Sequence, residues 1–206
     1  KKSSNIVTVF LGDGTTEEGV FFESLDFASL KNVPILFVCE NNFYSVYSQL
    51  EVRQAPNRKI ADLAESHGIK TYTGDGNNVT QVSEIAKEAI KYIKGNNAPA
   101  FIELETFRWL EHCGPNSDDE LGYRKKGELD KWLKRDPLST FSDLLIEKNQ
   151  LSKNSILEIK EIITTEMLTA KRPPSGISPD QLELVVGKTS RKFIDKDRVL
   201  KFEDLK

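Results

Sequence analysis

The sequence is poor in the residues that would narrow its function by themselves. It has two cysteines, two histidines, two tryptophans and one methionine in 206 residues. Cys39 stands in an apolar run and Cys113 in a polar one, without CxxC spacing, so two reduced thiols in a cytosol-like compartment are expected. Neither sign of charge predominates, since 29 bases and 32 acids are interspersed and leave a net charge of −3. Nothing here has the electrostatic footprint of a nucleic-acid or membrane-surface binder. No run of about 18 apolar residues exists to form a transmembrane helix, and no secretory leader is visible. The single methionine is Met167, and the chain opens at Lys1 a few residues before an apolar run, which reads as an N-terminally truncated chain. The length suits one α/β domain burying about 70% of its unfolded surface, or such a core with helical appendages.

What is present is concentrated between Gly12 and Asn42. Ile6 to Leu11 is an apolar, β-branched run too short for a helix, as a strand buried on both faces reads. It ends at Gly12-Asp13-Gly14, where two glycines permit a sharp turn and a close backbone approach while one carboxylate is left at the strand's end. From Glu17 to Lys31, Phe21, Phe22, Leu25, Ala28 and Leu30 recur at helical spacing, and Pro34 closes the helix. Ile35 to Cys39 reads as a second buried strand. Strand, helix, strand predicts parallel neighbours, so Asp13 and Asn42 come to one sheet edge, where open α/β sheets bind ligands. Asp13 and Asn42 supply hard oxygen ligands of the kind Mg²⁺ takes when it shares phosphate oxygens. A second Gly-Asp-Gly, Gly74 to Gly76, runs straight into Asn77-Asn78 with no intervening helix and strand, and reads as a turn and helix cap.

Gly-Asp-Gly followed at this distance by Asn-Asn resembles the thiamine-diphosphate-binding motif. The chain is similar, more closely, to the alpha subunit of the thiamine-diphosphate-dependent 2-oxo acid dehydrogenases. The resemblance implies a thiamine-diphosphate-binding fold, a doubly wound and mostly parallel sheet with flanking helices and a C-terminal helical extension. It also implies that Asp13, the Asn42 side chain and the Tyr44 carbonyl hold Mg²⁺, with Gly14 and Thr15 against the diphosphate.

Phe43 to Asn57 reads as a loop over that edge, with Arg53 and Arg58 either solvated or reaching an anionic substrate. A short helix is expected from Ile60 to His67 with Gly68 as its cap, and His67 as a surface cation at its end. Asn78 to Lys94 carries the plainest helical pattern, with Asn78 as N-cap and Gly95 after it, and Ala100 to Leu104 is a further strand. Beyond that strand, Glu105 to Asp119 is a glycine- and proline-containing loop aimed at the edge that holds Asp13. In the family the corresponding loop histidine contacts cofactor and substrate, which implies a catalytic and cofactor-binding role for His112. Arg108 suits a diphosphate clamp, or a carboxylate beneath the loop. Cys113 departs from the family, standing where some mitochondrial members carry a regulatory serine, and Leu110 replaces one of a pair of histidines. Tyr123-Arg124, a helical segment to Leu133, Arg135-Asp136-Pro137 and a helix from Leu138 to Lys148 continue the resemblance. A long amphipathic helix from Ser152 to Lys171 ends at Pro173-Pro174.

Residues 1–172 are therefore expected to form a partial cofactor-binding domain. Residues 173–206 form a tail of unassigned role, in which Leu182 to Val186 is expected to add an edge strand. The implied activity is Mg²⁺-dependent oxidative decarboxylation of a 2-oxo acid with acyl transfer to a lipoyl group on an acyltransferase. It implies a beta-type partner subunit in an alpha2beta2 assembly, because no residue here can be assigned the family's activating glutamate. An acetoin-type or transketolase-like enzyme, a haloacid-dehalogenase-like phosphatase and a catalytically empty scaffold are the alternatives. The phosphatase lacks its nucleophilic aspartate on an earlier strand.

Overall fold

The computed structural model describes residues 5–114, 116–152, 176–190, 194 and 198–205. The chain forms two compact units, Lys1–Phe141 and Ser142–Lys206.

In the first unit, β1 (Val7–Gly12) leads through a 3-10 turn (Asp13–Glu17) into α1 (Gly19–Lys31) and then β2 (Ile35–Asn41). A two-residue hairpin follows, β3 (Tyr44–Ser45) and β4 (Ser48–Gln49), then α2 (Leu50–Arg53) and α3 (Ile60–Ser66). β5 (Lys70–Asp75), α4 (Val79–Asn96) and β6 (Ala100–Glu105) complete the sheet. Its order is β1-β2-β6-β5 with every pair parallel, so the chain leaves β2 for the far edge and returns between. The architecture is α/β with a parallel sheet between helices.

Alternation along the strands sorts the core into two layers. Phe37, Cys39 and Phe101 face α1 and α3, meeting Phe21, Leu25, Ala28, Ile60, Ala64 and Ile69. Leu36, Val38, Ala100, Ile102 and Leu104 face α4, meeting Ala89 and Ile93. This is the period-two division expected of a sheet covered on both sides.

Several expectations are adjusted. β1 is not buried on both faces: it is the sheet edge among the described residues, and Phe10 is 67% exposed, because only one strand pairs with it. The first helix starts at Gly19, since the residues from Asp13 to Glu17 take the tighter 3-10 turn. Gly95 lies inside α4, and Asn97 in the left-handed region (φ 49) ends it instead. Asn78 caps that helix as expected, its side chain accepting from the Gln81 amide at 3.1 Å. The second Gly-Asp-Gly is a turn, with Asp75 accepting from the Asn77 amide at 2.9 Å.

Further on come α5 (Glu128–Leu133) and α6 (Pro137–Glu147), the latter begun by Asp136 accepting from the Ser139 amide at 2.7 Å. In the second unit Leu182 to Val186 adds no strand. A 3-10 helix occupies Pro179–Leu184, where proline at the first position favours helical over extended backbone. Val185 and Leu205 form a small core there, beside a bridge from Ser190 to Leu205. The long helix expected from Ser152, with Met167, lies outside the described residues beyond Ser152.

Candidate functional site

Parallel pairing in register aligns Gly12 with Glu40, so the chain leaves β1 at Asp13 and β2 at Asn41 on one side of the sheet. Asp13 opens the 3-10 turn with its side chain 1% exposed, and the turn is tied by the Thr16 hydroxyl donating to the Asp13 carbonyl at 2.6 Å. A buried carboxylate needs a compensating positive charge. Arg53 supplies it, donating to Asp13 through Nη2 and to Glu17 through Nη1. Arg53 was expected at this edge as a solvated or substrate-facing cation; the sequence did not say which carboxylates it would meet. Gln54 follows, donating to Glu17 at 3.0 Å and Thr16 at 3.3 Å, and Arg58 donates to the Thr16 carbonyl at 3.0 Å. Residues 53 to 58 thus strap the turn.

Gly14 has a steric reason: a Cβ there would lie 2.8 Å from the Ser45 hydroxyl, so the backbone of the turn lies directly against the Ser45 side chain of the β3 hairpin. Thr15 is exposed on the same turn.

The hairpin begins at Asn41-Asn42-Phe43-Tyr44. Asn41 accepts from the Phe43 amide and Asn42 from the Tyr44 amide, both at 3.1 Å. Phe43 between them sits at φ 65, a conformation a bulky side chain rarely adopts. Tyr44 is buried, and its hydroxyl donates to Glu128 at 2.6 Å. Burial and that carboxylate hold its phenol well above the ordinary range.

The β6 loop reaches the same hairpin. Thr106 donates from its amide to the Asn41 carbonyl at 2.9 Å, and Arg108 to the Val46 carbonyl at 2.9 Å. Arg108 meets Asp118 at 3.1 Å, the Tyr123 hydroxyl at 2.7 Å and the Leu110 carbonyl at 3.1 Å. Of the two roles open to it, the geometry matches the carboxylate beneath the loop. Asp118 also receives Arg124 at 2.9 Å and the Tyr123 hydroxyl, and Arg124 lies 4.4 Å from the Phe107 ring centroid. Burial alone would raise the Asp118 carboxyl, but these donors outweigh it and hold it below its ordinary value. In the sequence Asp118 is an ordinary polar loop residue, and only its place beneath both guanidiniums marks it out.

His112 lies on the exposed turn closed by the Glu111 amide donating to the Asn116 carbonyl at 2.9 Å. It makes no hydrogen bond or ion pair to Asp13 or Asn42 among the described residues. Asp13, Gly14, Asn42 and Tyr44 are thus drawn to one edge, with Arg108 and His112 on a loop anchored to the same hairpin.

That edge can hold a divalent cation beside an anion. Asp13 and Asn42 offer hard oxygens, and the buried Arg58 Nε has no partner among the described residues. No group of three or more His, Cys, Asp or Glu side chains suited to a metal occurs among the described residues.

A family model described as Dehydrogenase E1 component matches residues 1–173. A second, described as SAF domain, matches residues 157–206 and so reaches the tail left unassigned above. The chain is 30% identical over 186 residues to "Pyruvate dehydrogenase E1 component subunit alpha" of Rickettsia felis, covering 88% of this chain and 55% of that protein. It is 29% identical over 184 residues to "2-oxoisovalerate dehydrogenase subunit alpha" of Bacillus subtilis, covering 87% and 55%. With "Pyruvate dehydrogenase E1 component subunit alpha-3, chloroplastic" of Arabidopsis thaliana the identity is 35% over 163 residues, 79% of this chain and 36% of that one. The chain spans about half the length of the curated relatives it matches, or less. No helix among the described residues is long and apolar enough to cross a membrane. The match over residues 1–173, on a parallel sheet whose edge brings Asp13 and Asn42 together, makes this chain a member of the dehydrogenase E1 component family.

Proposed function

We propose that this chain is the alpha-type subunit of a thiamine-diphosphate- and Mg²⁺-dependent 2-oxo acid dehydrogenase, acting with a beta-type subunit and passing its acyl group to a lipoyl-bearing acyltransferase. The observation that carries the reading is the buried Asp13 carboxylate at the end of β1, in register with the Asn42 turn at the end of β2. Beside that pair of oxygens the buried Arg58 Nε is left unpaired among the described residues, a donor suited to an anion.

In this reading Asp13, the Asn42 side-chain oxygen and the Tyr44 carbonyl hold Mg²⁺, and Gly14 and Thr15 lie against the diphosphate. When bound, thiamine diphosphate supplies the electron sink for decarboxylation. The protein's own work is positioning and charge. The 3-10 turn presents Asp13, and the Phe43 turn presents Asn42 and Tyr44 from the neighbouring strand. His112, on its exposed turn, meets cofactor and substrate and passes protons between them. Arg108 orders the loop that carries it, through Asp118 and Tyr123. The relatives' names divide between pyruvate and 2-oxoisovalerate, and the proposal is accordingly a 2-oxo acid, with an acetoin-type or transketolase-like reaction as its nearest rival. Residues 173–206 are taken as a separate appendage, since the dehydrogenase match ends at residue 173.

The test is calorimetric titration of thiamine diphosphate and Mg²⁺ into this chain co-purified with its beta-type partner, against Asn42→Ala. Binding in the wild type that is lost in the variant is expected. No binding in the wild type overturns the reading, and turnover by this chain alone overturns the need for a partner.

A further inference from the structure

Glu103 interrupts the apolar run of the central strand β6, where a charged side chain is costly unless it is fully used. It lies opposite Cys39 of β2, on the sheet face shared with Phe37 and Phe101, and that face ends at Asn41. Both carboxylate oxygens are engaged. Oε1 accepts from Asn41 Nδ2 at 2.9 Å, and Oε2 accepts from the Ala61 amide at 2.9 Å, in the first turn of α3. The first bond determines which way the Asn41 amide faces. With Nδ2 donating to Glu103, Asn41 Oδ1 is left to accept from the Phe43 amide at 3.1 Å. Phe43 is held at φ 65 between the two residues proposed to supply metal oxygens, Asn42 and Tyr44. Such a conformation persists only where its surroundings over-determine it.

We propose that Glu103 is a positioning residue for the metal-ligand turn. Acting through Asn41 it holds the left-handed backbone at Phe43, and through Ala61 it fixes the start of α3, whose preceding segment carries Gln54 and Arg58 onto the Asp13 turn. One carboxylate thereby ties together both chain segments that meet at the cation edge. The inference rests on the functional reading above for what the turn is for. Its geometry stands independently.

The chemistry supplies a specific rescue. Asn41 Nδ2 and the Ala61 amide are both donors, so Glu103 must offer two acceptors. In Glu103→Gln one acceptor becomes a donor facing another donor. In Asn41→Asp two carboxylates face each other. Combining the two substitutions reverses the polarity of the pair. The introduced side-chain amide on β6 would donate to the introduced carboxylate on β2, while its oxygen still accepts from the Ala61 amide. The second oxygen of that carboxylate still accepts from the Phe43 amide. Net charge is unchanged.

Two measurements test this. In the cofactor-free chain, amide hydrogen exchange at Phe43 is expected to speed up by about tenfold or more in each single variant, the size expected for loss of one charge-assisted hydrogen bond, and to return near wild type in the double variant. In the complex with the beta-type partner, Mg²⁺ and thiamine diphosphate are expected to bind about tenfold more weakly to Glu103→Gln, with recovery in the double variant. A merely structural role would lower unfolding temperature without this pairwise recovery of affinity. Wild-type affinity and exchange in Glu103→Gln, or a double variant no better than the worse single one, overturns the inference. Recovery of exchange at Phe43 with no cofactor binding by any form, wild type included, overturns the functional reading and with it the metal role of the turn, while the Glu103–Asn41 coupling stands.

Discussion

Arg53→Ala separates the two ways in which the buried Asp13 charge can be neutralised. Asp13 has a side chain 1% exposed and Arg53 one 11% exposed, and their ion pair is the only cationic contact to Asp13 among the described residues. Removing one partner of a buried pair leaves the other charge uncompensated, which costs about 3–5 kcal/mol. Glu17, freed at the same time, is partly solvated and adds little. The lower end, about 3 kcal/mol, is the appropriate figure, because a smaller side chain admits water to the carboxylate. For a unit of this size that corresponds to a loss of about 6–12 °C in melting temperature. On the proposed function, Mg²⁺ held by Asp13 would take the place of the guanidinium, so millimolar MgCl₂ with thiamine diphosphate is expected to return most of the lost stability. The wild type gains less, since metal must first displace Arg53. Arg53→Lys is expected to fall between, because a point charge cannot fork between Asp13 and Glu17. Thermal melts of the three proteins, each with and without MgCl₂ and cofactor, provide the assay. An Arg53→Ala protein that melts with the wild type refutes the charge argument, and a deficit unchanged by metal and cofactor refutes the Mg²⁺ role proposed for Asp13.

Asp118→Asn is expected to loosen residues 106–124 to limited proteolysis and to cost about 3 kcal/mol, by removing the charge on which Arg108 and Arg124 converge. The same carboxyl makes a pH signature. Its folded value lies below the 3.8 of the free group, so its contribution is fully present above that value and disappears as pH falls through the lower folded one. Urea titrations below about pH 4 should show a steeper acid loss in the wild type than in Asp118→Asn. With a thiol reagent the native chain should give one rapid equivalent, from exposed Cys113, and a second only on denaturation. Cys39 is fully buried, and burial together with Glu103, Asp13 and Glu40 pushes its thiol far up; two rapid equivalents would contradict the packing of β2.

Much of this molecule follows from local pattern. The β1, α1, β2 unit and the later α4, β6 pair, the cap at Asn78 and the turn at the second Gly-Asp-Gly are written in periods and in the chemistry of single residues, whereas the hairpin and α2 between Tyr44 and Arg53 read only as a loop. The chain order strand, helix, strand was enough to bring Asp13 and Asn42 to one edge, because parallel neighbours put both carboxyl ends on the same side. Tertiary structure decided whatever depends on which distant segments meet. Arg53 lies on Asp13, forty residues away, because the segment after the hairpin folds back over the turn that ends β1, and Arg108 reaches the Val46 carbonyl because the hairpin after β2 meets the β6 loop. Both arginines carry the same local signal as a solvated one. The face of Phe10 is likewise a matter of neighbours, since an apolar β-branched run reads the same at the edge of a sheet as at its centre. Glu103 marks the boundary between the two kinds of information. Its charge within an apolar strand could be seen in the sequence as an exception, but only the alignment of β6 with β2 and α3 gives each of its oxygens a donor, and so a purpose.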